Sequence, residues 1–234
     1  MTTYNVVSSN VATGDSVKLV IPAAMRILTL TTQKGGSGKS TLAASLAVAA
    51  AQDGEVVAIL DTDQQKSLAG WAGRRGSDDL SVQAVEPNGY KAAVAKLKAE
   101  GRVTLLVVDT PGLFGAGVAL VLKDADFCIL PVKPSILDVE AARPTVEQLR
   151  LLGRRFAFVM NQCNATTQAR TLDAATALVS TGALAPSMVA TRSDFLDAMT
   201  MGQGVTEIAP RGKAAIEIRL LWQWVKAQIG ATHV

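Results

Sequence analysis

Residues 33–41 read Gln33-Lys34-Gly35-Gly36-Ser37-Gly38-Lys39-Ser40-Thr41, with glycines, lysines and hydroxyls packed into one short stretch. Those residue types in that order are suited to a phosphate chain. Glycines let backbone N–H groups approach phosphate oxygens and take positive φ where the turn needs it. Lys39 would reach the β- and γ-phosphates, and the Ser40 hydroxyl would bind Mg²⁺. The usual first glycine of such a loop is replaced by Gln33, and a second lysine, Lys34, stands beside it. That second lysine is the distinguishing feature of the loop.

Carboxylates complete the chemistry. Asp109 ends the apolar run 103–108 and suits a carboxylate that holds Mg²⁺ through water. Asp61 and Asp63 sit at i, i+2 where another apolar run ends, a spacing that places both on one face of a strand. Two carboxylates near Mg²⁺ and a γ-phosphate can orient a water and accept its proton. The alternative reading of the same pair is that it caps a helix or closes a turn.

The elements that must hold these residues are legible as apolar runs. Residues 27–31 read as a strand feeding the glycine-rich turn, and Leu42 to Ala51 as the helix that follows. Further strands are expected at 55–60, 80–85, 103–108, 127–131, 156–160 and around 187–190. Helices are expected at 67–73, at 89–100 with Asn88 as cap, near 138–152 with a kink or start at Pro144, and at 168–180. Strands alternating with helices predict an α/β fold: a mostly parallel sheet with helices on both faces, forming a single domain. In such sheets ligands sit at the carboxyl ends of the strands. The polar clusters 33–41, 61–65, 109–112 and 161–164 all follow strands.

The chain has 234 residues, 49% hydrophobic and 18% charged, enough for one sizeable core. Residues 1–24 read as a poorly ordered tail and 25–234 as the domain. The net charge of +3 permits contact with nucleic acid without requiring it. Cys128 and Cys163 match no zinc spacing and are expected to be reduced thiols, which fits a cytoplasmic protein. No run approaches the ~18 apolar residues of a membrane span, and no secretion signal opens the chain.

Lys34 through Thr41 resembles the deviant Walker A motif of the ParA/MinD family of ATPases. Asp61-Thr62-Asp63-Gln64-Gln65 resembles that family's Asp-x-Asp-Pro-Gln segment, with Gln64 in place of proline. Residues 107–111 resemble its Walker B strand, and 130–135 with Asp138, and 158–162, also match. Arg192 to Phe195, Gly204 to Glu207 and Pro210 to Glu217 resemble the short plasmid-type partition ATPases. The resemblance implies a P-loop NTPase fold that binds ATP or ADP with Mg²⁺ and forms a homodimer around two ATP molecules. It implies that Lys34 crosses to the partner's phosphates, with Lys39 the conventional loop lysine. Gly35, Gly36, Ser37, Gly38, Ser40 and Thr41 would line the nucleotide. Ser40, Asp109 and Asp63 would serve the metal, Asp63 the attacking water with Asp61 in support, and Asn161 the adenine.

The same resemblance implies sequence-independent DNA binding, nucleoid association and a ParB-like or cargo adaptor that stimulates slow hydrolysis. Arg192, Arg211, Lys213, Arg219 and Lys226 are the candidate DNA contacts. From Arg192 onward five basic residues face four acidic ones, so folding would have to assemble any DNA face. The alternative is a membrane-associated positioning ATPase of the MinD type. Ile216, Leu220, Leu221, Trp224 and Val225 recur at helical spacing, and are expected to pack on the sheet rather than on lipid. A metabolic P-loop enzyme is a third class: a kinase would need an acceptor site, and an iron–sulphur ATPase more cysteines.

Overall fold

A computed structural model of the chain describes residues 5–7, 19–21, 24–113, 115–164 and 168–230. Within the N-terminal segment, β1 (Asn5–Val7) pairs antiparallel with β2 (Leu19–Ile21). Residues 1–4, 8–18, 22 and 23 of the expected tail lie outside the described residues.

The main sheet is built from β3 (Arg26–Leu30), β4 (Val57–Asp61), β5 (Ser81–Ala84), β6 (Leu105–Asp109), β7 (Phe127–Val132), β8 (Phe156–Met160) and β9 (Ala183–Leu184). All its pairings are parallel, in the order β5-β4-β6-β3-β7-β8-β9. Between the strands lie α1 (Lys39–Gln52), α2 (Ser67–Ala72), α3 (Tyr90–Glu100), α4 (Ala116–Asp124), α5 (Ile136–Leu151) and α6 (Gln168–Val179). The chain continues through α7 (Ser193–Met201), α8 (Val205–Ile208) and α9 (Lys213–Gly230).

Strand periodicity divides the core between two faces. Leu28, Leu30, Ile59, Leu105, Val107 and Ile129 face α1 and the C-terminal helices. Ile27, Leu60, Leu106 and Val108 point the other way against α3, while Cys128, Leu130, Phe158 and Met160 meet α4, α5 and α6. Helix α1 is buried nearly all round, which explains why its sequence is apolar without a polar stripe.

Several expectations need correction. The final strand is Ala183–Leu184; only a single bridge, between Cys163 and Ala190, marks the segment expected around 187–190. Helix α3 follows Gly89 with no side-chain cap, because residues 87–89 form a 3₁₀ turn that absorbs Asn88. Helix α5 begins at Ile136, capped by Ser135, and carries Pro144 in its interior. The C-terminal helix was expected to pack on the sheet and packs chiefly on α1 and α8. Of its expected stripe Leu221 and Val225 are buried and Trp224 is half-buried, but Ile216 and Leu220 are exposed, and Ala214, Ala215, Ile218 and Trp222 complete the buried face. Helices α4, α7 and α8 were not anticipated. Among the described residues no helix is long and apolar enough to cross a membrane.

Candidate functional site

The phosphate-type loop runs from the end of β3 into α1. Gly38 is the N-cap residue at φ +92°, and Gly36 lies at φ +68°, so both take the left-handed conformation that favours glycine. A Cβ added at Gly38 would come within 2.3 Å of the Asn161 amide nitrogen. That close approach arises because Asn161, following β8, donates from Nδ2 to the Ser37 carbonyl at 2.7 Å. Gln162 donates to the Gly36 carbonyl at 3.0 Å from its own left-handed backbone, φ +55°. The loop is therefore braced from the neighbouring half of the sheet. The reading of Gln162 came only as part of a motif; its φ and its role as brace were invisible in sequence.

Lys39 is buried, and its Nζ lies 3.4 Å from the Thr32 carbonyl. Burial lowers its pKa, against the opposing fields of Asp109 and Asp63. Lys34, by contrast, is exposed, and its ammonium makes no ion pair among the described residues.

Strand register brings the carboxylates together: Asp109 pairs in register with Leu30 on one side and Asp61 on the other. Ser40 Oγ donates to Asp109 Oδ2 at 2.5 Å. The other oxygen, Oδ1, is buried with no hydrogen-bond partner. Burial pushes the Asp109 carboxyl up to about 7; the Ser40 hydrogen bond opposes this, and the nearby charge of Asp61 adds to it. An unpaired, buried carboxylate oxygen next to a serine hydroxyl is a donor set that Mg²⁺ with its waters would satisfy. The residues present fit that ion.

Asp61 and Asp63 do not share one face, because β4 stops at Asp61 and the period of two ends with it. Asp61 accepts backbone N–H groups from Asp63 (3.1 Å), Leu68 (2.9 Å) and Ala69 (3.2 Å), so its carboxylate anchors the first turn of α2. Asp63 lines the cleft instead, with Oδ1 accepting from Gln65 N at 3.0 Å.

The cleft measures about 1020 Å³. It is lined by Gly35 to Thr41 with Asp63, by Asn161 and Gln162, and by Ala190 to Arg192 with Phe195, Leu196 and Met199 of α7. The last group was not foreseen as part of the site, since α7 had no legible boundary. Of the basic candidates, Arg211 and Lys213 are exposed. Arg192 is bound to Glu217, Arg219 donates to the Pro210 carbonyl, and Lys226 is bound to Asp53. Among the described residues no cluster of His, Cys, Asp and Glu could hold a metal by itself.

A parallel sheet, a braced glycine-rich loop and an Asp109–Ser40 pair at the strand ends define a P-loop nucleotide-binding protein. The family model described as the CobQ/CobB/MinD/ParA nucleotide binding domain matches residues 28–209, and the chain belongs to that family. It is similar to a maintenance of carboxysome distribution protein A from Gloeobacter kilaueensis, 36% identical over 124 residues, 53% of this chain and 56% of that protein. The match thus spans little more than half of that relative's length. A second protein of that description, from Halothiobacillus neapolitanus, is 28% identical over 193 residues, 79% of this chain and 88% of its own. Among solved structures, the septum site-determining protein MinD with Mg-ADP from Pyrococcus horikoshii OT3 has the same fold. Its TM-score is 0.73 at 18% identity, covering 88% of this chain and 98% of that one.

Proposed function

We propose that this chain is an ATP-hydrolysing positioning protein that dimerises around ATP, binds DNA without sequence preference and places a cargo with an adaptor protein. The observation that carries this reading is the contrast between the two loop lysines. Lys39 is buried at the nucleotide cleft, whereas Lys34 on the same loop is exposed with no ion pair among the described residues. A second copy placed loop to loop would give Lys34 a phosphate partner, coupling assembly to nucleotide state.

Within one chain, Lys39 and the N–H groups of Gly35 to Ser40 hold the β- and γ-phosphates of ATP. Ser40 and Asp109 would hold Mg²⁺ with its waters, and Asp63 would serve the metal as well. Bound there, Mg²⁺ neutralises charge on the phosphate oxygens. Asp63, tied to Gln65 through Oδ1, offers its other oxygen to orient an attacking water and take its proton. Asp61 supports that turn through α2 rather than by touching the nucleotide. Asn161 both braces the loop and borders the adenine.

DNA contact falls to Arg211 and Lys213 at the start of α9, with Arg219 beside them and Arg192 already engaged by Glu217. Doubling those charges in a dimer would give salt-dependent, sequence-blind binding. The relatives' names make a large protein assembly one candidate cargo; a plasmid or chromosome segment is the other. A nucleoid-associated place in the cytoplasm follows from this reading. Co-sedimentation with plasmid DNA and with anionic lipid vesicles, each with ATP or ADP, tests it. ATP-dependent DNA binding is expected; lipid binding without DNA binding would favour the MinD-type membrane reading.

A further inference from the structure

We infer that Glu217 of α9 is a positioning residue that sets the nucleoside end of the cleft, by holding the 190–192 loop in place. The inference rests on the nucleotide-binding reading above.

The loop is held from two sides. On the sheet side, Ala190 bridges Cys163, and Thr191 N donates to the Cys163 carbonyl at 2.9 Å, just beyond Asn161 and Gln162. On the helix side the contacts come from Glu217. Its Oε2 accepts from Ala190 N at 3.1 Å and from Arg192 Nε at 3.4 Å, and its Oε1 accepts from Arg192 Nη2 at 2.5 Å. One carboxylate thus fixes both ends of a three-residue segment that has no strand of its own.

That segment lines the cleft beside Asn161 and Gln162, the two residues that brace the glycine-rich loop. Ala190, Thr191 and Arg192 stand there with Phe195, Leu196 and Met199. The apolar side chains of Phe195, Leu196 and Met199, with polar groups of the 190–192 loop beside them, suit a flat heteroaromatic base with its ribose, whereas the glycine-rich loop suits phosphates. A wall set before the ligand arrives removes an ordering cost from binding. Without Glu217, the Ala190 N–H and the Arg192 guanidinium lose their shared acceptor, and the wall must be ordered by the ligand. Glu217 also lies between Lys213 and Arg219 on α9, so its side chain links the wall to the proposed DNA-contact helix.

Binding of ATP and of inorganic tripolyphosphate to the full chain separates this role from a general structural one, because tripolyphosphate has no base or ribose. Glu217→Ala is expected to weaken ATP binding about tenfold, the scale of a lost charged hydrogen bond. Glu217→Gln should weaken it less, since the amide oxygen still accepts from Ala190 N. Tripolyphosphate affinity should stay within about twofold of the native chain in both. Unchanged ATP affinity in both variants would overturn the inference, as would parallel loss of both ligands. If Glu217→Ala fails to fold, Glu217→Gln and Arg192→Gln must show the same split, and equal losses overturn it. A native chain that binds tripolyphosphate but not ATP would overturn the nucleotide reading itself, before any substitution is compared.

Discussion

The carboxamide nitrogen of Asn161 lies 2.7 Å from the Ser37 carbonyl oxygen, tying the end of β8 to a loop that follows β3, five strands earlier in chain order. Removing it in Asn161→Ala leaves a carbonyl in a buried setting without its partner, a cost of about 1–3 kcal/mol. For a domain of this size that lowers the melting temperature by roughly 2–4 °C per kcal/mol. Nucleotide affinity should fall as well, since the loop is no longer held in its binding shape. Thermal melts with and without ATP measure both. A native-like melt and native-like affinity would remove Asn161 from the brace.

The two aspartates of the 61–65 turn should separate by type of defect. Asp61→Ala strands three backbone N–H groups, two of them at the start of α2, and is expected to cost about 3 kcal/mol of stability. Asp63→Ala should leave stability within about 0.5 kcal/mol and keep ATP binding, while hydrolysis falls about a hundredfold or more. Denaturant unfolding and phosphate release check the pair. A stable Asp61→Ala protein, or normal turnover by Asp63→Ala, would reverse the assignment.

Lys34 and Lys39 should fail in different ways. Lys39→Ala is expected to lose nucleotide binding, because no other side chain would replace its buried ammonium in the proposed phosphate contact. Lys34→Ala should bind ATP like the native chain and lose ATP-dependent dimerisation with its hydrolysis. Fluorescent-nucleotide titration and sedimentation velocity separate the outcomes. A Lys34→Ala protein that still dimerises with ATP would show that this lysine does not cross to a partner.

Acid sensitivity should include a contribution from Asp79. Hydrogen bonds from Arg75 hold its carboxyl below the ordinary value of 3.8, and the Arg75 guanidinium also binds Glu207. The folded chain then binds fewer protons at this site than the unfolded chain, so stability rises with pH across that range. The contribution is full above about pH 3.8 and is lost as pH falls through the lower folded value. Asp79→Asn should therefore be less stable than the native chain at pH 7, with the gap closing as pH drops from 5 towards 3. Because Asp79 is 41% exposed, added salt should shrink the gap too. A gap independent of pH would exclude the ion pair as its cause.

Both thiols should be inert in the native protein. Cys128 is fully buried and burial raises its pKa; Cys163 is pushed up to about 11 by burial and the charge of Glu217. At pH 7 neither carries appreciable thiolate. Maleimide should label neither in the folded chain and both after denaturation. Rapid labelling of the native protein would mean that the β7 or β8 region opens far more readily than its packing implies.

How much of this was legible depends on how far each feature reaches along the chain. The glycine-rich turn, the strands around it and the carboxylates at their ends were readable because each is a local pattern of a few residues. Asp109 was assigned correctly to a strand end, yet its in-register neighbours Leu30 and Asp61 follow from strand order. The Asp61–Asp63 spacing misled because a period of two holds only while the strand continues, and β4 ends at Asp61. In α9, Ile216 and Leu220 fit an apolar stripe equally well, but the helix is rotated by what α1 and α8 leave uncovered.

The sequence by itself determined the glycine-rich loop, the alternation of strands and helices, and the odd second lysine, all set by residue type and short-range spacing. Only the tertiary structure decided which aspartate lines the cleft and that α7 lines it too. It also decided that Arg192 answers to Glu217, 25 residues away. The physical reason is that hydrogen bonds and ion pairs choose partners in space. A parallel sheet whose order departs from chain order places those partners where no local pattern can show them.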